Sequence, residues 1–169
     1  KGIANISLTV KQSGGHASTP PQVTATVRLA RAIDRLARHP FRARFSETNL
    51  EMIQTLGTYT TGMLRFVFTN ARAFRALLLG VFSRLSPETN AMVRTTTAVT
   101  QLSGSSSANA LAEQATAVVN TRIAVGSSVA ETVEHMRQVI RDPLVRIDAA
   151  HSSEPSPVSP TNGTAWKLL

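Results

Sequence analysis

The chain has 169 residues, no cysteine, and a net charge of +8 from 18 Lys and Arg against 10 Asp and Glu. That length holds one domain with a full core, or one small domain with a large insertion, and excludes two full domains. The missing thiols exclude disulfides and thiolate metal sites and fit a cytoplasmic protein without excluding a secreted one, while the basic excess raises nucleic acid or an acidic membrane surface as partners.

Ile3, Ile6, Leu8 and Val10 largely alternate and predict a short strand over Ile3 to Val10. Behind it stands Gly14-Gly15-His16-Ala17-Ser18-Thr19-Pro20-Pro21, a glycine-hinged bend that presents His16 to something outside its own core. The two glycines open backbone conformations closed to other residues. Thr19, Pro20 and Gln22 read as N-cap, first helical residue and capping-box partner. They open a helix over Gln22 to Ala37 with Val23, Val27, Ala30, Ile33 and Ala37 along one face. It ends before His39-Pro40, because a residue preceding proline is pushed out of the helical region. Arg28, Arg31, Arg35 and Arg38 form a stripe with Asp34 interleaved; a solvated helix face accounts for it at least as well as phosphate binding does.

Glu47 to Leu56 and roughly Thr60 to Leu85 predict further helices, the second strongly apolar. Arg65, Arg72 and Arg75 interrupt it and leave only Ala76 to Phe82 unbroken, short of the roughly 20 apolar residues a membrane span needs. It reads as a contact surface that packs on a neighbouring domain or subunit, with an interfacial membrane helix as the second option.

After Ser86-Pro87, Val93 to Leu102 and Ala115 to Ala124 read as strands joined by the polar loop Ser103 to Asn109. Ser128-Val129-Ala130-Glu131 is a capping box that opens a helix through Ile140, and Leu144, Val145 and Ile147 supply a last strand. From Ser152 to Pro160 the chain is a Pro/Ser-rich connector. With residues 39–90 set aside as a helical insertion, the order is β-α-β-β-α-β. That predicts an α+β, ferredoxin-like sandwich, a four-stranded antiparallel sheet with two helices on one face. Residues 1–151 form this domain and 152–169 the connector. The start at Lys1 without a leader and the abrupt stop at Trp166-Lys167-Leu168-Leu169 read as a piece of something longer.

The four histidines, His16, His39, His135 and His151, are too scattered for a hydrolytic metal centre, which needs three or more ligands and a carboxylate base. His135 stands four residues after Glu131, which suits a surface pair. A Gly-x-Ser-x-Gly elbow and a Walker-type phosphate loop are both missing. An RNA-recognition sheet would need aromatic residues on its central strands, and these strands hold none, so nucleic acid is not expected as a partner.

Four pieces in this order resemble the lid, or dimerisation, domain of the zinc peptidases and aminoacylases of peptidase family M-20. They are Gly14-Gly15-His16-Ala17-Ser18-x-Pro20, Val93-Arg94-Thr95-Thr96-Thr97-Ala98, Asn109 to Asn120-x-Arg122, and Val125-Gly126-x-Ser128-Val129. The long insertion, Ser86-Pro87-Glu88-Thr89-Asn90-Ala91 and the tail Glu154-Pro155-x-Pro157 further resemble the carboxypeptidase S and N-acyl amino acid hydrolase subgroup. The loop Gly104 to Ala112 departs from the Gly-Gly-x-Lys-x-Asn-Val-x-Pro usual there, keeping the first Gly and the Asn. The resemblance implies a homodimer and a separate catalytic domain that holds two zinc ions, with none bound by this chain. It implies hydrolysis of an amide bond in an N-acyl amino acid or small peptide. His16, reaching into the opposite subunit, then stabilises the oxyanion; Asn109 contacts substrate near the scissile bond, and Arg122 clamps the substrate carboxylate. The competing reading is a stand-alone ferredoxin-like binding or regulatory module in which His16 and Arg122 share no target.

Overall fold

A computed structural model describes residues 1–159. Strand β1 (Gly2–Lys11) buries Ala4, Ile6, Leu8 and Val10 on one face and turns Ile3 and Asn5 outward, the period of two that a half-covered strand requires. It pairs antiparallel along its whole length with β5 (Gln114–Ile123), whose buried residues are Ala115, Ala117, Val119, Thr121 and Ile123. With β3 (Thr96–Ser103) and β6 (Arg146–Ser153) they form a four-stranded antiparallel sheet in the order β3-β5-β1-β6. Helices α1 (Ala25–Arg38) and α6 (Val129–Ile140) cover one face, burying Leu29, Leu36, Met136 and Ile140 against it. Fully buried Ile6 and Leu8 each contribute about 1.5–3 kcal/mol of hydrophobic stabilisation. The other face of the sheet carries mainly polar side chains, Asn5, Thr9, Asn120 and Arg122 among them, with Ile3 and Val118 between. This is the ferredoxin-like order that the sequence predicts.

Several boundaries differ for identifiable reasons. Helix α1 begins at Ala25, capped by Thr24, whose side chain accepts from the backbone N–H of Val27, and not at Gln22 behind Thr19. Pro21 disfavours helical geometry at Pro20, so Thr19 instead closes a turn by donating its N–H to the His16 carbonyl. The apolar segment after Thr60 is two helices, α3 (Gly62–Thr69) and α4 (Arg75–Leu85), separated by turns. At the break the Thr69 hydroxyl and the Asn70 amide donate to the Arg65 and Phe66 carbonyls, taking up acceptors that a continuing helix would use. Ser86, Pro87 and Thr89 build a capping box for a short helix α5 (Pro87–Val93). The insertion therefore runs to Val93 and the strand starts at Thr96. Strand β6 continues to Ser153, into the stretch read as connector; residues 160–169 of that connector lie outside the described residues.

The insertion has a core of its own. Phe45, Leu50, Ile53, Ala71, Leu78 and Val93 are buried together between α2 (Glu47–Thr58), α4 and α5. Helices α2 and α3 pack so closely that a Cβ on Gly57 would stand 2.7 Å from Phe68 Cβ and 2.8 Å from the Thr69 backbone nitrogen. Tyr59, Met63, Phe66, Leu77 and Leu85 stay exposed. Among the described residues no helix is long and apolar enough to cross a membrane.

Candidate functional site

Beyond the end of β1, the Gln12 N–H donates to the Glu113 carbonyl and the two chains separate into a small ribbon. Its strands are β2 (Gly15–His16) and β4 (Ala110–Leu111), antiparallel, with His16 opposite Ala110. The Ala17 N–H then donates to the Asn109 carbonyl at 2.9 Å. Two of the three predicted site residues, His16 and Asn109, are therefore neighbours across this ribbon. Sequence reasoning missed it because strands of two residues carry no measurable periodicity.

The glycines before His16 serve a different purpose from the one their sequence suggests. Left-handed backbone occurs at Gly62 and Gly126 among the described glycines, and not at Gly14 or Gly15. What Gly14 supplies is room, since a Cβ there would stand 2.7 Å from Glu113 Cγ. The His16 ring is exposed, and its Nδ1 accepts from the Ser18 backbone N–H at 3.2 Å and lies 2.8 Å from Ser18 Oγ. An accepting Nδ1 places the proton of the neutral ring on Nε2, which leaves a donor directed away from the loop.

Arg122 lies elsewhere. It projects from the outer face of the sheet opposite Ile3 of β1 and Thr96 of β3, exposed, and takes part in no ion pair among the described residues. Next to it on that face, Asn120 donates from Nδ2 to Asn5 Oδ1 at 2.7 Å. Arg122 stands eight residues along β5 from Gln114, where the ribbon begins, about 27 Å at the antiparallel rise per residue. The ribbon that carries His16 and Asn109 thus starts at the end of β5 opposite Arg122. Ile3 pairs with Ser153 as well as with Arg122, so the chain enters and leaves the sheet at the Arg122 end. Lys1 Nζ donates to the carbonyls of Ala91 and Arg94 there, and burial holds its pKa below the usual ammonium value.

The remaining candidates are structural. Arg28 pairs with Asp142 at 2.5 Å, Arg35 donates to the Ile140 carbonyl, and Arg38 pairs with Asp34 at 2.8 Å. Most of the arginine stripe thus ties α1 to the end of α6 or to itself. His39 Nδ1 lies against the Arg35 carbonyl and His135 against the Phe41 ring. Among the described residues no group of three or more His, Cys, Asp or Glu side chains could hold a metal ion. Along the edge strand β3, Leu102 and Gly104 face Thr26, Leu29, Ala30 and Ile33 of α1 across an open apolar groove of about 650 Å³.

Comparison with known proteins agrees with this architecture. Residues 1–148 match the family described as the peptidase dimerisation domain. The chain is 34% identical over 170 residues to a probable carboxypeptidase S-like 2 of Dictyostelium discoideum, covering all of this chain and 32% of that protein. It is 33% identical over 172 residues to an N-fatty-acyl-amino acid synthase/hydrolase of Homo sapiens, covering all of this chain and 34% of that protein. The chain spans about a third of the length of these curated relatives. Among solved structures, an M-20 family metallo-carboxypeptidase from Sulfolobus solfataricus shares the fold, with a TM-score of 0.59 at 17% identity, over 98% of this chain and 40% of that one.

Proposed function

We propose, from the premise that this chain belongs to the peptidase dimerisation domain family of the M-20 hydrolases, that two copies of it complete two separate active clefts. Each cleft takes Arg122 from one copy and His16 with Asn109 from the other. The observation that supports this reading is the roughly 27 Å along β5 between the ribbon and Arg122, with both ends of the domain on the Arg122 side. A catalytic domain joined through β1 and β6 lies nearest its own Arg122. The ribbon points the opposite way, toward the cleft of the partner.

A dimerisation domain self-associates, and the fold offers a surface for it. Strand β3 is an edge of the sheet, with unpaired backbone donors and acceptors along one side. The groove between β3 and α1 holds Leu102, 68% exposed. Pairing β3 with β3 about a two-fold axis continues the sheet and covers that groove.

In each cleft the substrate is an N-acyl amino acid or a small peptide, and the bond hydrolysed is its amide. The planar guanidinium of Arg122 meets the substrate carboxylate through two parallel hydrogen bonds. Nε2–H of His16 of the partner subunit donates to the oxyanion as it develops on the scissile carbonyl, with Asn109 beside it. Zinc, which the family resemblance implies, does not fit these residues, since the described ones gather no ligand set. Two zinc ions belong to a catalytic domain, and this domain's part is binding, orientation and hydrogen bonding.

Mixed dimers of the full-length enzyme test the arrangement. The His16→Ala and Arg122→Ala homodimers are each expected to lose nearly all activity. Subunits mixed in equal amounts and allowed to exchange regain about a quarter of wild-type turnover, because half of the dimers are mixed and each of those holds one intact cleft. Absence of any recovery despite demonstrated exchange would falsify the composite cleft.

A further inference from the structure

A cavity of about 590 Å³ at the junction of the insertion and the sheet has no part in the site above. It is lined by the segment leading from α1 into α2, the end of α5 and the link from it into β3, the turn from β5 into α6, the first two turns of α6, and Val158 of the segment after β6. Because α6 forms one wall, the cavity lies on the helical side of the sheet, opposite the face that carries Arg122.

Arg42, Arg44 and Arg94 line it, and none of them is in an ion pair among the described residues. Nε of Arg94 is buried and meets no acceptor among the described residues. A guanidinium stays charged when buried, and a buried charged donor without an acceptor is unfavourable until one arrives. The two carboxylates on the wall are already engaged: Glu47 pairs with Arg72 at 2.8 Å, and Glu131 accepts from the Ser127 hydroxyl at 2.8 Å. The rest of the wall mixes Ser, Thr and His side chains with an apolar part in which Phe41 is held against His135 and Phe45 against Phe82, beside Val93 and Val125. Planar cationic forks next to aromatic and aliphatic surface suit a ligand that is anionic at one end and apolar at the other.

We propose that this cavity binds an organic carboxylate with an apolar body, its carboxylate held by Arg94 together with Arg42 and Arg44 and its body lying against Phe41, Phe45 and Val93. A bare phosphate leaves the apolar wall unused, and a neutral analogue leaves the arginines unpaired. The bound molecule touches both the insertion and α6, so it couples the two cores.

Titration of the full chain, followed by backbone amide resonances and calorimetry, tests this with three probes: phenylacetate, phenylacetamide and inorganic phosphate. Phenylacetate is expected to saturate and to move the resonances of Thr95 and Gly126, both on the cavity wall. Phenylacetamide and phosphate bind at least about tenfold more weakly. Arg94→Gln and Arg42→Gln each weaken phenylacetate by about tenfold or more. Arg42 is exposed, so its variant keeps the wild-type unfolding temperature and separates lost binding from lost folding. The proposal is overturned by absent saturation, by equal binding of phenylacetamide or of phosphate, or by undiminished binding in Arg42→Gln.

Discussion

The two ends of the central hairpin are built in contrasting ways. At one end Arg122 is embedded in a sheet, with β1 on one side of β5 and β3 on the other, and adjacent Thr121 and Ile123 buried beneath. At the other end His16 rides on a ribbon two residues long that stands beyond the main sheet. The difference teaches where each kind of chemistry is placed. In the proposed composite cleft, a guanidinium that orients a carboxylate gains from a rigid, three-strand footing near the domain's own junctions. A donor proposed to reach another subunit needs projection, and the ribbon obtains it with little packing of its own.

Mutation separates these roles. His16→Ala in the full-length enzyme should lower turnover by about 100- to 1000-fold, the cost of removing one oxyanion donor, with metal content unchanged; near-normal turnover would break the comparison at its catalytic end. At the other end, Arg122→Lys keeps the charge but loses the planar fork, and should raise KM about tenfold with a smaller change in kcat. A fall confined to kcat would remove Arg122 from substrate binding.

Gly14→Ala probes the ribbon's footing. The added Cβ meets the Glu113 side chain, which can move aside, so the expected loss is a few-fold in turnover, about 1 kcal/mol, and Glu113→Ala should restore most of it. Hydrogen exchange compares the ends without mutation. The Ala17 amide, bonded to Asn109, should exchange through local opening, while the β5 amides near Val119 exchange only with global unfolding. Equal protection at both ends would contradict the contrast. The smallest effect is expected from Ser18→Ala. It removes a hydroxyl beside His16 Nδ1 but keeps the backbone N–H that sets the tautomer, so turnover should change by less than about threefold.

Much of the fold was legible because its long elements bury one face each. The alternation through Ile6, Leu8 and Val10 and the helical spacing of Val129, Val133, Met136 and Ile140 are periodic signals that burial later matches. The elements that were misread are short or set by side-chain to backbone bonds: the Thr24 cap, the break at Thr69 and Asn70, and helix α5. In the site, the residue types of His16, Asn109 and Arg122 suggested their chemistry, and resemblance to a family suggested their roles. Their grouping was not legible. The adjacency of His16 and Asn109 comes from two pairs of residues far apart in the chain, and the reach to Arg122 from the length of a strand.

Composition and periodicity were enough to establish one ferredoxin-like domain with a helical insertion, since burial of one face imposes a repeat that can be read along the chain. Which functional residues share a cleft, and why Gly14 is a glycine, depended on distances between segments far apart in sequence. Those distances are set when the strands take their register and the helices pack, and no local pattern encodes them.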